Sequence, residues 1–252
     1  MWHIVSFEGL QTLVKKVSNW YSVLAVYLKI KFSTRARFKD GMITAVSRIE
    51  YYEFQEELFK RYLQDRGYTY GVKHGKNVVY IPDGLQIMYS KVPFSAYINE
   101  TFSEEVYGVF DLKGRVVIDA GTYMAETCLY FAKQGASKVY GFEIDRENYN
   151  IGQENIKLNN MTDKIYLYHQ AATYESIRNL ITQYDLKNIF LKIDCEGCEY
   201  EILENADPIT FKNVDDIVLE YHKQPEPLMQ KLTKIGYTVK RKKEIIYATK
   251  KN

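Results

Sequence analysis

Residues 191–200 read LKIDCEGCEY, a pattern that predicts a buried strand followed by an acidic turn. An apolar strand ends there at Asp194, and Glu196 and Glu199 follow on either side of Gly197. In a doubly wound α/β sheet, ligands bind outside the carboxyl ends of the strands, so these acids are predicted at the ligand-binding edge. The alternative interpretation is that Asp194 caps the next helix and that the glutamates are solvated near its N-terminus.

A second strand, over 115–119, lies upstream and runs into the small residues Ala120 and Gly121, which precede a helix with an apolar face. This pattern is typical of the first half of a mononucleotide-binding unit. The following strand ends at Glu143, roughly 20 residues after the glycine, where an acid can accept both hydroxyls of an adenosine ribose. Glu143 is therefore the predicted ribose ligand.

The turn itself favours one nucleotide cofactor. Dinucleotide-binding turns use three glycines to close backbone amides on a pyrophosphate, but this turn has Gly121 alone, with Met124 and Ala125 where further glycines are needed. S-adenosylmethionine carries no phosphate and needs one close backbone approach and a ribose acid. The sequence therefore predicts S-adenosyl-L-methionine as the cofactor, unless Gly121 merely forms the corner between strand and helix.

Four segments together carry a family resemblance: VVIDAGTYMAETCLYFA, VYGFEIDRENY, NIKLNN and LKIDCEGCEYEIL. They resemble the FkbM family of S-adenosylmethionine-dependent methyltransferases from about Tyr97 to Tyr237. The strongest element is Asp194 to Glu199, which matches the D-x-E-G-x-E signature of that family. The resemblance implies methyl transfer to an oxygen of a small-molecule or carbohydrate acceptor.

The fold implied by the resemblance is α/β, of the class I methyltransferase (Rossmann-like) type. It has a mostly parallel seven-stranded sheet with helices on both faces, in the strand order 3-2-1-4-5-7-6, and a small N-terminal α+β extension. The predicted domains are 1–96, an extension that forms a wall on the acceptor side, and 97–252, the S-adenosylmethionine-binding domain. Within the extension, the sequence predicts one helix near 14–30.

The predicted cofactor-binding residues lie before, in and after the glycine turn. By resemblance, the lead-in to the first core strand lies near the methionine end, where Glu100 is placed to hold the ammonium group; the alternative is an exposed helix acid. The chain departs from the family pattern in two places: Thr122 to Ala125 stand where the family commonly has an asparagine-rich turn that contains a second glycine, and Ile144 stands where a proline is frequent. The full set is Glu100, Tyr107, Asp119, Ala120, Gly121, Thr122, Glu143, Ile144 and Ala171.

Methyl transfer is an in-line displacement at a sulfonium, so the protein must align the acceptor oxygen and remove its proton. Asp194 and His222, each at a strand end, are the candidates for the base, and Glu220 lies close to His222 in the sequence. The predicted catalytic residues are Asp194, Glu196, Glu199 and His222. No metal ligand is assigned, although the same carboxylates suit Mg²⁺, and the sequence does not decide whether a divalent metal takes part.

Composition indicates the class of partner. The 252 residues carry 34 basic and 32 acidic side chains, a formal net charge of +2, which provides no long-range field to steer nucleic acid. The prediction is a small-molecule or carbohydrate acceptor, no nucleic acid and a cytoplasmic location. A membrane span is not expected, because no run reaches the roughly 20 apolar residues that one requires. The oligomeric state is not predicted.

Three cysteines are present: Cys128, Cys195 and Cys198. The last two form a C-x-x-C, which in other folds supports redox chemistry, but two thiols are too few ligands for a structural zinc. They are interpreted as packing residues that flank Gly197. Two other functions remain open for the whole chain: a nucleotide-dependent oxidoreductase, which the missing glycines disfavour, and a non-catalytic S-adenosylmethionine-binding protein.

Overall fold

A computed structural model describes residues 7–28, 33–47, 52–91 and 94–251. The chain divides into two compact units: one contains the described residues up to 84 together with 89–104, and the other contains 85–88 together with the residues from 105 onward. We call them the N-terminal and the C-terminal unit. The predicted domain boundary after residue 96 and the role of 1–96 as an acceptor-side wall stay predictions.

The N-terminal unit combines short helices with antiparallel strands around an apolar core. Its two-stranded sheet pairs Ser33 with Ser47 and Arg37 with Ile43 at its ends, and its core includes the fully buried Leu13 and Phe54. The elements are α1 (Phe7–Lys16), α2 (Trp20–Tyr27), β1 (Ser33–Arg37), β2 (Ile43–Ser47), α3 (Tyr52–Gln64), β3 (Thr69–Lys73), β4 (Lys76–Tyr80), β5 (Gln86–Tyr89, whose first three residues belong to the C-terminal unit), α4 (Phe94–Ile98) and a π-helical turn (Asn99–Ser103).

The single helix predicted near 14–30 is wrong, because α1 and α2 are separated at 17–19. Val17 forms a bridge with Phe38, and the side chain of Asn19 bonds to the backbone of β1. Its amide nitrogen donates to the carbonyl oxygen of Arg35 and its oxygen accepts from the N–H of Arg37, both at 2.8 Å. The helical spacing of apolar residues continues through 17–19, so the sequence predicts one helix. The long-range contacts of Val17 and Asn19 nevertheless interrupt it there.

The C-terminal unit alternates strands with helices. Its elements are β6 (Val116–Ala120), α5 (Glu126–Lys133), β7 (Lys138–Glu143), α6 (Arg146–Leu158), β8 (Ile165–His169), α7 (Tyr174–Gln183), β9 (Ile189–Ile193), α8 (Cys198–Asn205), a 3₁₀ turn (Thr210–Asn213), β10 (Val214–Glu220), α9 (Glu226–Lys234), β11 (Tyr237–Lys242) and β12 (Ile245–Lys250).

These seven strands form one sheet in the order β11-β12-β10-β9-β6-β7-β8. Strands β6 to β10 pair in parallel, and β12 pairs antiparallel with both β10 and β11. Numbered within the sheet, the order is 3-2-1-4-5-7-6, so the prediction of a class I methyltransferase fold is confirmed. Helices α5 and α6 pack on each other, and α8 packs on α7 and α9.

The side on which strands are added to the sheet changes at β6. Strand β7 lies on one side of β6, and β9 lies on the other. In sheets of this kind, ligands bind at such a topological switch point, outside the carboxyl ends of the strands. The fold thus brings the ends of β6, β7 and β9 together at one edge. Among the described residues, no helix has both the length and the apolar character needed to cross a membrane.

Candidate active site

The turn after β6 requires glycine for a reason internal to the sheet. Gly121 has φ +86°, and a Cβ added there would overlap the carbonyl oxygen of Asp194 and lie 2.8 Å from its carbonyl carbon. The N–H of Asp194 in turn donates to the carbonyl oxygen of Ala120 at 2.9 Å. The end of β9 therefore packs directly against the turn, and a larger residue than glycine would push the two strand ends apart.

Below this turn lies Lys192, a residue that the sequence analysis did not select. Its side chain is 1% exposed, and its Nζ lies 3.1 Å from Asp119 Oδ1 and 3.8 Å from Asp194 Oδ2. The same Nζ donates to the carbonyl oxygen of Gly121 at 2.5 Å. Lys192 therefore joins the ends of β6 and β9 through charge and hydrogen bonds.

Burial opposes a charge on Lys192, but the carboxylates of Asp119 and Asp194 outweigh it and raise the pKa of the ammonium group above its usual value. The neighbouring Glu126 is also buried, and its desolvation raises the pKa of its carboxyl to about 8. One sequence feature could have identified Lys192: it is the charged residue in an otherwise apolar central strand. A fully buried lysine requires a partner of opposite charge.

Asp194, the acid that ends β9, is held from two sides. The hydroxyl of Tyr107 donates to Asp194 Oδ2 at 3.0 Å, and the Nζ of Lys192 lies 5.5 Å from the centre of the Tyr107 ring. The Asp194 side chain is 26% exposed. Tyr107 and Asp194 are thus brought together, and one face of the carboxylate stays open to a ligand.

Glu143 ends β7, the neighbour of β6, as the sequence predicted for a ribose acid. It is 7% exposed, its Oε1 accepts the N–H of Asp145 at 2.7 Å, and burial raises the pKa of its carboxyl. The next residue, Ile144, is 70% exposed. An acid with an exposed apolar side chain beside it matches a ribose and the flat face of an adenine, so these residues fit the predicted cofactor.

His222, just after β10, is bound by the acidic turn that follows β9. Its Nδ1 lies 3.1 Å from Glu199 Oε1, and its Nε2 lies 3.3 Å from Glu196 Oε2. Glu199 is fully buried, whereas the Glu196 side chain is 88% exposed. The hydrogen bond to Glu199, followed by the charges of nearby carboxylates, outweighs burial and raises the pKa of His222 to about 9. At neutral pH the imidazole is therefore protonated.

Glu220 is the last residue of β10 and lies one residue before the loop that carries His222. Burial and then the charge of Asp194 raise the pKa of its carboxyl to about 7, against the partial opposition of His222. A carboxyl with this pKa exchanges a proton at neutral pH, which is the property expected of a general base. The sequence placed Glu220 near the site, but its environment is visible only once β9 and β10 are paired.

Cys195 and Cys198 are joined by a disulfide bond, with their Cα atoms 5.5 Å apart. The sequence analysis interpreted them as packing residues, because spacing alone does not show the distance between two sulfur atoms. Among the described residues, the cluster with metal-ligand spacing consists of these two cysteines and Glu199. It does not include Asp194, Glu196, Glu220 or His222, the residues for which the sequence left a divalent metal undecided.

The remaining predicted residues fall into three groups. Asp119, Ala120 and Thr122 are fully buried, and Asp119 accepts a hydrogen bond from Thr127 Oγ1 at 2.6 Å besides its ion pair with Lys192. Ala171 follows β8 and is exposed. Glu100 belongs to the N-terminal unit, in its π-helical turn. Cofactor contacts by these residues stay predictions.

No family model matches the chain, and no curated protein matches it. Solved structures with a similar fold do exist. Ribosomal protein L11 methylase from Lactobacillus delbrueckii subsp. bulgaricus is 17% identical with a TM-score of 0.45, over 66% of this chain and 82% of that one. A candidate tRNA methyltransferase from Streptococcus pneumoniae, in complex with S-adenosyl-L-methionine, is 16% identical with a TM-score of 0.46, over 57% and 69%.

Magnesium protoporphyrin IX methyltransferase from Synechocystis PCC 6803, with bound S-adenosylmethionine, is also 16% identical with a TM-score of 0.46, over 65% of this chain and 86% of that one. Both this structure and the preceding one contain S-adenosylmethionine. Likeness at this identity is limited to the fold, which the strand order of the protein itself establishes.

The predicted exclusion of nucleic acid is wrong. The similar structures include the candidate tRNA methyltransferase and other proteins described as RNA methylases. The physical error lies in the use of net charge, because +2 is an average over all 252 residues. An average of this kind does not determine what one face of the molecule binds.

Proposed function

We propose that the C-terminal unit binds S-adenosyl-L-methionine and transfers its methyl group to an acceptor. One observation carries this proposal: the Gly121 turn, Glu143 and Asp194 lie at the carboxyl ends of three adjacent parallel strands, β6, β7 and β9. A ligand at this switch point contacts all three strand ends. The cofactor supplies an electrophilic methyl group on a sulfonium, and the protein supplies binding and orientation.

In this proposal, Glu143 accepts the ribose hydroxyls and the exposed Ile144 lies against the adenine. The turn at Gly121 and the end of β9 would hold the methionine end. Asp194 is available there, with Tyr107 and Lys192 fixing its orientation. Most of the rate enhancement comes from alignment of the acceptor oxygen with the methyl group, because positioning contributes more than proton transfer.

The proton of the acceptor hydroxyl is assigned to Glu220. Its pKa of about 7 lets it accept a proton at neutral pH, whereas His222 already carries one, with a pKa of about 9. The charged imidazole instead positions Glu199 by a hydrogen bond and Glu196 by an ion pair. His222 would then act as a positioning residue rather than as the base.

The acceptor is proposed to be a hydroxyl of a small molecule or sugar, as the FkbM resemblance implies. The chemistry of the edge supports this choice, because Asp194, Glu196 and Glu220 are carboxylates that accept hydrogen bonds from hydroxyl groups. A polyhydroxylated acceptor offers several such donors. The fold alone does not select the acceptor, since similar folds act on unlike substrates.

The experiment supplies methyl-labelled S-adenosylmethionine and separated fractions of small molecules, glycans and RNA. Label is expected in a small-molecule or glycan product, and the Glu220→Gln variant should lower turnover roughly 10² to 10⁴-fold while it retains S-adenosylhomocysteine binding. Glu204→Gln, an exposed acid on α8, is the matched control and should change neither property.

Label that enters RNA would contradict the proposed acceptor and leave methyl transfer intact. Binding of S-adenosylhomocysteine with no labelled product in any fraction would favour a non-catalytic role. A melting temperature that rises with NAD but not with S-adenosylhomocysteine would favour an oxidoreductase.

A further inference from the structure

The disulfide between Cys195 and Cys198 closes a tight turn in the acidic segment after β9. The two Cα atoms are 5.5 Å apart, within the limit for a β-turn. Both central residues have positive φ, +57° at Glu196 and +122° at Gly197. Turns of this backbone type are dominated by glycine, asparagine and aspartate, because a longer side chain is strained there.

Glu196 is therefore held in a conformation that its own side chain disfavours. Its carboxylate is 88% exposed and makes one ion pair, with His222, so little packing fixes it. The covalent ring through the two sulfurs provides the constraint that is otherwise missing. Opening the ring would let Glu196 return to a common backbone conformation.

The same turn organises the residues around it. The N–H of Gly197 donates to Glu199 Oε2 at 2.9 Å, and the N–H of His222 donates to Glu199 Oε1 at 3.2 Å. Asp194 immediately precedes the ring. Both cysteines are half-buried, so part of each residue is open to a small reagent, in contrast to the fully buried Cys128.

We propose that Cys195 and Cys198 form a thiol–disulfide exchange site that reacts with low-molecular-weight disulfides such as glutathione disulfide, and that its closure fixes the acidic turn. One cysteine, as its thiolate, attacks a glutathione sulfur, forms a mixed disulfide and releases one glutathione thiolate. The second cysteine loses its proton and displaces the other glutathione. The pair loses two electrons and two protons, and one glutathione disulfide becomes two glutathiones.

The test equilibrates the full chain in a series of glutathione to glutathione disulfide ratios and then traps free thiols by alkylation. The count is made by mass spectrometry after unfolding. The buried Cys128 is expected to resist labelling in the folded protein, so no labelled thiol is expected at the oxidising end and two, those of Cys195 and Cys198, are expected at the reducing end. The change should occur in a single two-electron transition within the series.

Three outcomes would contradict the exchange site: a pair that stays oxidised at every ratio, a pair that stays reduced at every ratio, or a lasting glutathione adduct on one cysteine. Thiols that resist alkylation in reductant until a chelator is added would also contradict it, because they would indicate a metal bound by Cys195, Cys198 and Glu199.

The effect on the turn is measured by hydrogen exchange in the peptide that contains 194–203. Reduction should accelerate exchange there by about threefold or more, because opening of the ring loosens the local hydrogen bonds. The Cys195→Ser, Cys198→Ser double variant should exchange at the fast rate in both redox states. Equal exchange in the oxidised and reduced wild-type protein would contradict control of the turn. Neither measurement uses a cofactor, so their failure is distinct from failure of methyl transfer.

Discussion

At the scale of single residues, the buried ammonium group of Lys192 determines the charge balance beneath the candidate site. It faces Asp119, which is fully buried, and Asp194, which is partly open. Without this cation, two carboxylates and the buried Glu126 would lie close together in a medium that stabilises charge poorly. Lys192 is therefore expected to support both the fold and the orientation of Asp194.

Lys192→Met should lower the free energy of unfolding by about 3–5 kcal/mol, because removal of one partner leaves a buried charge uncompensated. A second change, Asp119→Asn, should restore part of that loss. The matched control is Lys187→Met, whose exposed pair with Asp185 should contribute less than about 1 kcal/mol. Urea denaturation measures all four proteins, and equal effects at Lys192 and Lys187 would contradict the proposed ion pair.

The pairing of His222 with Glu199 predicts a pH dependence of stability. The pKa of His222 is raised from 6.5 to about 9 in the folded protein. As the pH rises, the unfolded state therefore loses the His222 proton at a lower pH than the folded state does. The resulting stabilisation is complete below about pH 6.5 and is lost as the pH rises through about 9. After allowance for partial exposure, it is on the order of 2 kcal/mol.

Urea titrations at pH 6 and pH 10 on the wild-type protein and His222→Asn isolate this contribution. The wild type should lose more stability than the variant between the two values, since other groups titrate equally in both proteins. A variant that loses as much as the wild type would show that His222 is not held protonated.

At the scale of elements, the site depends on how closely the ends of β6 and β9 approach. The sequence predicted both strands, the glycine turn and the acids that follow each strand, because these features are local. It did not predict that the Cβ position of Gly121 is filled by the backbone of Asp194, nor that Lys192 lies against Asp119. Both facts need the atomic distances between the ends of two adjacent strands, whose contacting residues lie 71–73 positions apart in the sequence.

Other differences have the same physical origin. The break at Asn19 comes from hydrogen bonds to a strand 16 to 18 residues further along, and the helical periodicity gives no sign of them. The disulfide depends on a backbone turn with two positive φ angles. The raised pKa of Glu220 depends on burial and then on the charge of Asp194, which directly follows the neighbouring strand β9. The sequence therefore predicts most of the helices and strands, but it does not predict the contacts between them.

Gly121→Ala should be strongly destabilising, by several kcal/mol, because the added methyl group overlaps the Asp194 carbonyl. The control is Gly114→Ala, at a glycine with φ +75° and nothing within 4 Å of the added carbon. That change should cost only the backbone strain, about 1–2 kcal/mol. Thermal or urea unfolding measures both, and similar losses at the two glycines would contradict the close strand contact.

At the scale of the whole molecule, the proposed function depends on the switch point of the C-terminal unit, whose strand order is that of class I methyltransferases. The strand order that the resemblance implies is confirmed, whereas the exclusion of nucleic acid from net charge is wrong. A local motif predicts which residues lie at a strand end. The net charge of +2 over the whole chain does not predict the charge of any one surface. The proposed binding of S-adenosylmethionine is therefore tested at Glu143, the predicted ribose ligand.

The most direct measurement is calorimetric titration of S-adenosylhomocysteine into the wild-type protein and Glu143→Gln. We expect binding to the wild type and an affinity lower by about tenfold or more in the variant, because hydrogen bonds to a charged carboxylate become bonds to a neutral amide. The control Glu147→Gln changes an exposed acid on α6 and should bind as the wild type does. Absence of binding to the wild type, or an unchanged affinity in Glu143→Gln, would contradict the account.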